Sequence, residues 1–210
     1  HILLSLLVIL CSTYLFLIQP ASGKTGHTAP PDGAPGNAAL LSNDPETIEF
    51  RNVPDGYDGV SDTYITNAAP ASPHNGEGIE ILEKDWGFWG INRGLMRFAP
   101  PEIPRYMRIE EAMLTLYVGS SPDSHIGISL YHLCKDWDEA TVTWNTRGDE
   151  TWASPGAEST EEGGDRKADP FVRATVTPDD TEIKLDVTEA VQRWVQDPLN
   201  NHGFIIIGQD

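Results

Sequence analysis

The residues with binding chemistry in this chain are aromatic and cationic, and several stand close together. In EKDWGFWGINRGLMRF, Glu83 to Phe98, the rings Trp86, Phe88 and Trp89 are broken only by glycine, and Arg93 and Arg97 follow. Rings beside glycines can be core residues at the start of a strand. They can also form a flat surface on which a sugar ring stacks, because glycine lets them either fold back or stand out. Further along, Thr115, Tyr117, Ser129 and Tyr131 alternate with apolar residues and share the opposite faces of their strands. Together with Arg97 they make an amphipathic surface. Tyrosine rings stack on pyranose faces, and hydroxyls and guanidinium bind the sugar's oxygens. On a sugar that carries carboxylates, Arg93 and Arg97 supply positive charge. Tyr117 and Tyr131 are equally compatible with ordinary strand positions covered by a loop. The ligand-binding candidates are therefore Trp86, Trp89, Arg93, Arg97, Tyr117 and Tyr131.

A second constellation is acidic. PDGYDGVSDTY holds Asp55, Asp58 and Asp62, separated by Gly and Ser. Oxygen ligands on a turn-rich loop suit Ca²⁺, the one cofactor the sequence suggests, although the spacing is not that of an EF-hand. A solvated turn ahead of a strand fits the same residues. Trp137, Trp144 and Trp194 read as core, with Glu139 available to bond backbone or an indole N–H.

Catalytic patterns are missing. The sequence has no G-x-S-x-G elbow and no H-E-x-x-H helix, and His27, His74, His125, His132 and His202 are isolated. Carboxylates are so abundant that no glycosidase-like pair can be singled out. The chain by itself is not expected to be an enzyme.

Charge and the first residues bound the compartment and partners. The chain has 14 Lys and Arg against 32 Asp and Glu, a formal charge of −18, and all of these lie after Gly23. Phosphate binding needs clustered cations, so nucleic acid is excluded as a partner. Ile2 to Ile18 is apolar and uncharged, and Ala21 and Gly23 follow as small residues. This reads as a secretory signal peptide over 1–23, cut near Gly23, with an uncleaved anchor as the alternative. It places the protein outside the cell or on its surface and makes this segment its only route to a membrane. Cys134 is then left alone, so no internal disulfide forms.

Residues 24–56 are rich in Pro, Gly, Ala and Asn without periodicity and read as a flexible linker. From 57 to 210 the pattern has period two. Ala112, Leu114, Leu116 and Val118 fall on one face of a strand, as do Ile126, Ile128 and Leu130, and Ile183, Leu185 and Val187. GFIIIG is apolar on both faces and reads as a central strand. DVTEAVQRWVQDP places Val187, Val191, Trp194 and Val195 on one helical stripe, with Asp186 or Thr188 as cap and Pro198 as stop. The expected fold class is all-β, an antiparallel β-sandwich or jelly roll with one short amphipathic helix near the C-terminus.

Six stretches in order, SDTYI (61–65), GLMRF (94–98), EIPRYMRIEEAMLTLYV (102–118), DWDEATVTWNTR (136–147), LDVTEAVQRWV (185–195) and NNHGFIII (200–207), carry a family resemblance. The region resembles the DNRLRE domain, also classed as carbohydrate-binding module family 96 and related to a domain of archaeal disaggregatase. The resemblance implies a secreted β-sandwich that binds polysaccharide, supplies no catalytic residues and is attached to a lyase, hydrolase or surface protein. Relatives have a further strand after GFIII. This chain is expected to lack it or to complete the sheet with another segment. The competing expectation is a structural or adhesive extracellular sandwich that binds protein or assembles on the cell surface.

Overall fold

The computed structural model describes residues 6–20, 48–50, 59–82, 90–99, 103–120 and 125–209, the first two stretches as backbone only. Asp55, Asp58, Trp86, Trp89 and the span 24–47 of the expected linker lie outside them. The strands are β1 (Leu6–Pro20), β2 (Ile48–Phe50), β3 (Val60–Thr66), β4 (Ile79–Leu82), β5 (Asn92–Phe98), β6 (Ile109–Ser120), β7 (Ile126–His132), β8 (Val172–Val176), β9 (Glu182–Asp186) and β10 (Phe204–Gln209). One helix, α1 (Thr188–Gln196), lies between β9 and β10. Among the described residues every strand pairing is antiparallel, so the molecule is all-β with a single short α-helix near its C-terminal end.

The sheet order is β8-β7-β10-β5-β4-β1-β6-β9, with β3 on β5 and β2 on β1. β3 runs along the whole of β5, from Val60↔Phe98 to Thr66↔Asn92. β4 meets β5 only at Leu82↔Asn92. The sheet is thus two halves joined by one bridge. Leu6–Pro20, part of the apolar run expected to be a leader, contributes β1 to the second half, between β4 and β6.

Period-two alternation gives the halves a common core. Met96, Phe98, Ile128, Leu130, Phe204 and Ile206 come from one half, and Ile79, Ile81, Leu114, Leu116 and Leu185 from the other. Helix α1 buries Ala190, Val191, Trp194 and Val195 in the same core, with Trp194 stacked 6.2 Å from Phe204. Asp186 accepts from the Thr188 amide at 2.9 Å, and Thr188 Oγ1 accepts from the Ala112 amide at 2.9 Å. The N-cap position is Val187, which makes no side-chain cap bond, so neither Asp186 nor Thr188 caps the helix as expected; Thr188 instead ties its first turn to β6.

β10 is apolar on both faces because two cores claim it. Ile205 joins Ile65, Leu95 and Tyr131 on the far face of the first half, where Leu133, Trp137, Val142, Trp152 and Ala157 cover them. The covering segment, Cys134 to Lys167, contains no strand. Its turn-rich sequence does not make a loose spacer. Buried Asp165 accepts from the amides of Ala153 (2.7 Å), Ser154 (2.9 Å) and Ser159 (3.2 Å) and gathers the loop around one carboxylate. Val142 and Trp144 are set by this loop and not by a strand: the Trp144 carbonyl accepts from the Gly156 amide at 2.6 Å.

A candidate sugar-binding cleft beside the helix

The loop decides which candidate residues can reach a ligand. Arg93, on β5, points beneath it. Its guanidinium lies 5.0 Å from the centre of the Trp144 ring, donates to the Gly156 carbonyl at 2.6 Å and pairs with Glu158 at 2.5 Å. Glu158 also pairs with Arg166 at 3.0 Å, and Arg166 stacks 4.5 Å from the ring centre of Tyr131. Tyr131 is only 8% exposed, and its hydroxyl accepts from Gln209 at 3.1 Å. Two cation–π stacks, Arg93 on Trp144 and Arg166 on Tyr131, are thus joined through the exposed carboxylate of Glu158 and clamp the loop to the sheet. Tyr117 is half-buried on β6, opposite Glu182 of β9. Ser129 and Thr115 are buried.

Arg97 is the candidate that reaches open space. It lies two residues past Leu95 on the same face of β5, beside the start of the loop. Its guanidinium sits 5.3 Å from the centre of the Trp137 ring and forms an ion pair with Asp136. Trp137 is fixed in turn by its indole N–H, which donates to the His202 carbonyl at 3.0 Å. Arg147 holds the Asp136 carbonyl at 2.9 Å. His202 Nδ1 is 4.0 Å from the Asp136 carboxylate, and burial lowers the pKa of its imidazole, so it is neutral at physiological pH.

The cleft around Arg97 has a volume of about 760 Å³. Phe98, Ile103, Trp194 and Leu199 give it apolar walls, and Arg97, Arg105, Asp136, Asn201 and His202 give it donors and acceptors. Its geometry follows from the NNHG sequence. Asn201 Nδ2 donates to the Phe98 carbonyl at 2.6 Å and Asn201 Oδ1 accepts from the Gly203 amide at 3.2 Å. Gly203 has φ 74°, and a Cβ there would lie 2.1 Å from the Met96 carbonyl oxygen. Only glycine lets the chain turn so close to β5. Arg105 and Tyr106 follow Pro104 on a turn; Tyr106 is 87% exposed and Leu199, on the cleft wall, 86%. Arg105 makes no ion pair with any described residue, and Arg97 shares its charge with Asp136.

A second cleft shares Trp194 and His202 with the first and continues toward Lys167 and Arg193. His132 lines it, stacked 4.2 Å from Phe171, and burial with the nearby Arg193 and Lys167 charges pushes its pKa down to about 4. Cys134, half-buried, lies on the same wall. Together the two clefts offer apolar surface flanked by guanidinium, amide and imidazole groups. Such a surface accepts the C–H faces and hydroxyls of a sugar chain. Arg105 and Asn201 escaped the sequence reading, which set His202 aside as an isolated histidine, although PRY and NNHG are local turn signals next to the Arg97 strand.

Asp62 lies elsewhere. It is 3% exposed on β3, and its amide donates to Glu139 at 3.3 Å, the backbone bond expected of that glutamate. Burial, and then the Glu139 charge, pushes its carboxyl up to about 7. Among the described residues no three His, Cys, Asp or Glu side chains are placed to hold a metal ion.

The family model of carbohydrate-binding module family 96 matches residues 56–210, which hold β3 to β10, α1, the covering loop and the cleft, while β1 and β2 precede the match. The chain belongs to this family. No curated protein sequence matches it. The buried residues explain the motifs it shares with the family 96 pattern. Trp137 and Trp194 are 3% exposed core residues, and Asn201 and Gly203 shape the turn onto β5. Modules of this class bind carbohydrate and carry out no catalysis.

Proposed function

We propose that the chain binds a polysaccharide outside the cell through the cleft around Arg97 and Arg105, as a module of a larger extracellular protein that acts on polysaccharide. We read the two halves of its sheet as facing layers of a β-sandwich, with the cleft at the end that α1 closes. The observation that carries the reading is the pairing of apolar walls with Arg97, Arg105, Asn201 and His202 in one open cleft, in a chain of a carbohydrate-binding family. Arg105, with no ion pair among the described residues, beside the Arg97–Asp136 pair, on a protein of charge −18, favours a sugar chain that carries carboxylates. Location outside the cell rests on the apolar, uncharged N-terminal run. Trp86 and Trp89 precede β5 in the chain and remain candidates for stacking on the same ligand. The acidic stretch Asp55, Asp58 and Asp62 remains the candidate for Ca²⁺.

Affinity electrophoresis through gels of neutral and of uronate-rich polysaccharides, with and without EDTA, tests this. Retardation should be greatest in the uronate-rich gel, and Arg97→Ala, Arg105→Ala and Trp89→Ala should each weaken it. Loss of retardation with EDTA alone would move the contact to the acidic stretch. Release of oligosaccharide products would overturn the non-catalytic reading.

A further inference from the structure

β8 and β9 stand at the two ends of the sheet order. Among the described residues β8 pairs only with β7, and β9 only with β6. In the turn between them the Asp180 amide donates to the Thr177 carbonyl at 3.1 Å, and the Thr177 amide donates to the Asp180 carboxylate at 2.7 Å. The turn sends the two strands to different halves of the sheet, so each keeps an outer edge that meets no described strand. Such an edge recruits another strand unless charge or cover guards it.

A cleft of about 760 Å³ lies between these edges, completed by Arg108 and the first turns of α1. The common core reaches it: Phe171, Val172 and Ala174 pack on that core yet stay only partly buried. On its exposed row β9 is guarded by its own charges. Lys184 pairs with Glu182 at 3.0 Å, and Asp186 accepts from the Thr188 amide and hydroxyl. The exposed row of β8 holds only Arg173 and Thr175.

Charge marks the same edge. Arg108, Arg173 and Arg193 line the cleft and make no ion pair with any described residue, whereas Arg93, Arg97, Arg147 and Arg166 each hold a carboxylate. Of the two carboxylates on the cleft wall, Asp186 is engaged by Thr188, and Glu189 lies in the first turn of α1, where the helix dipole favours it. In a chain of 14 Lys and Arg against 32 Asp and Glu, three arginines left without a carboxylate in one cleft suit an acidic group from outside.

We propose that the outer edge of β8 is a docking site for an extended acidic peptide of a partner protein. The peptide adds a strand to β8. By the period of two, its apolar side chains cover Val172 and Ala174, and its carboxylates meet Arg173 on the exposed face and Arg108 and Arg193 at the helix end. A sugar chain can offer carboxylates but no amide ladder, so the free edge favours a peptide. The inference stands apart from the polysaccharide reading, which rests on the cleft around Arg97 and Arg105.

The test measures fluorescence anisotropy of labelled peptides of about six residues against the full chain. One peptide alternates valine and glutamate, one alternates valine and lysine, and one is the acidic peptide with its backbone amides methylated. The acidic peptide should bind about tenfold or more tighter than the other two. Arg173→Glu, checked for folding by circular dichroism, should lose the acidic peptide and gain the lysine one. Arg108→Ala and Arg193→Ala should each weaken the acidic peptide. No binding of the acidic peptide to the wild type would overturn the proposal. Equal binding of the methylated peptide would overturn it too, because charge alone would then account for the contact. Weaker retardation of folded Arg173→Ala in a uronate-rich gel would place a sugar chain on this edge and would likewise overturn it.

Discussion

The guanidinium of Arg97 lies 5.3 Å above the Trp137 ring while its charge meets the Asp136 carboxylate. One arginine on β5 thus fixes both a wall of the cleft and the start of the covering loop. Its planar group stacks and pairs at once, which a lysine cannot do. Arg97→Lys should keep the fold but weaken polysaccharide binding about tenfold, roughly 1.4 kcal/mol. Arg97→Ala should weaken it further. Titration calorimetry with soluble oligosaccharide measures both, and equal affinities for the lysine variant and the wild type would refute the role of the stack.

Asp165 should be the most sensitive position in the loop. Its carboxylate accepts three amides while fully buried, so Asp165→Ala leaves those donors without partners. The expected loss is about 2–4 kcal/mol in urea denaturation, with early protease cleavage between Cys134 and Lys167. A wild-type proteolysis pattern would contradict this.

Asp62 sets a pH dependence. Its carboxyl titrates near 3.8 when unfolded and at about 7 when folded. Between these values the folded protein holds a proton that the unfolded chain has released, so stability falls as pH rises through the window. His132 acts in the opposite sense: with its pKa at about 4 in the folded state, stability is lost as pH falls from 6.5. Asp62 is therefore isolated by difference. The stability of Asp62→Asn relative to wild type should grow by about 2–4 kcal/mol from pH 4 to pH 8. Parallel curves would remove Asp62 as the cause.

Gly203→Ala should be severe for a substitution of one methyl group. The added Cβ meets the Met96 carbonyl oxygen and the Arg97 side chain in a positive-φ turn. A loss of about 3 kcal/mol or more, seen as a lowered thermal midpoint, is expected. A change below 1 kcal/mol would mean that β10 and β5 can separate at that turn without penalty.

What the sequence made legible was whatever follows from local period. The alternation in β6, β7 and β9 shows which side chains are buried: Leu114, Ile128 and Leu185 face the core as their spacing requires. The helix stripe of Val191, Trp194 and Val195 is equally direct. The covering loop was not legible, because its order comes from Asp165 and from the close approach of Gly156 to Trp144, and neither leaves a periodic trace. For the same reason Tyr131 could be placed on the outer face of the sheet but not beneath the loop. Arg97 differs from Arg93 by four positions on one strand, and only the path of the loop leaves it in a cleft.

The central claim is that the cleft around Arg97 and Arg105 binds polysaccharide. The most direct measurement compares wild type, Arg105→Ala and Arg93→Ala in a uronate-rich affinity gel, each checked for folding by circular dichroism. Arg105 makes no ion pair with any described residue and is exposed, so its loss should spare the fold and reduce retardation. Among folded molecules Arg93→Ala should destabilise the loop and leave retardation unchanged. Undiminished retardation of folded Arg105→Ala would contradict the account.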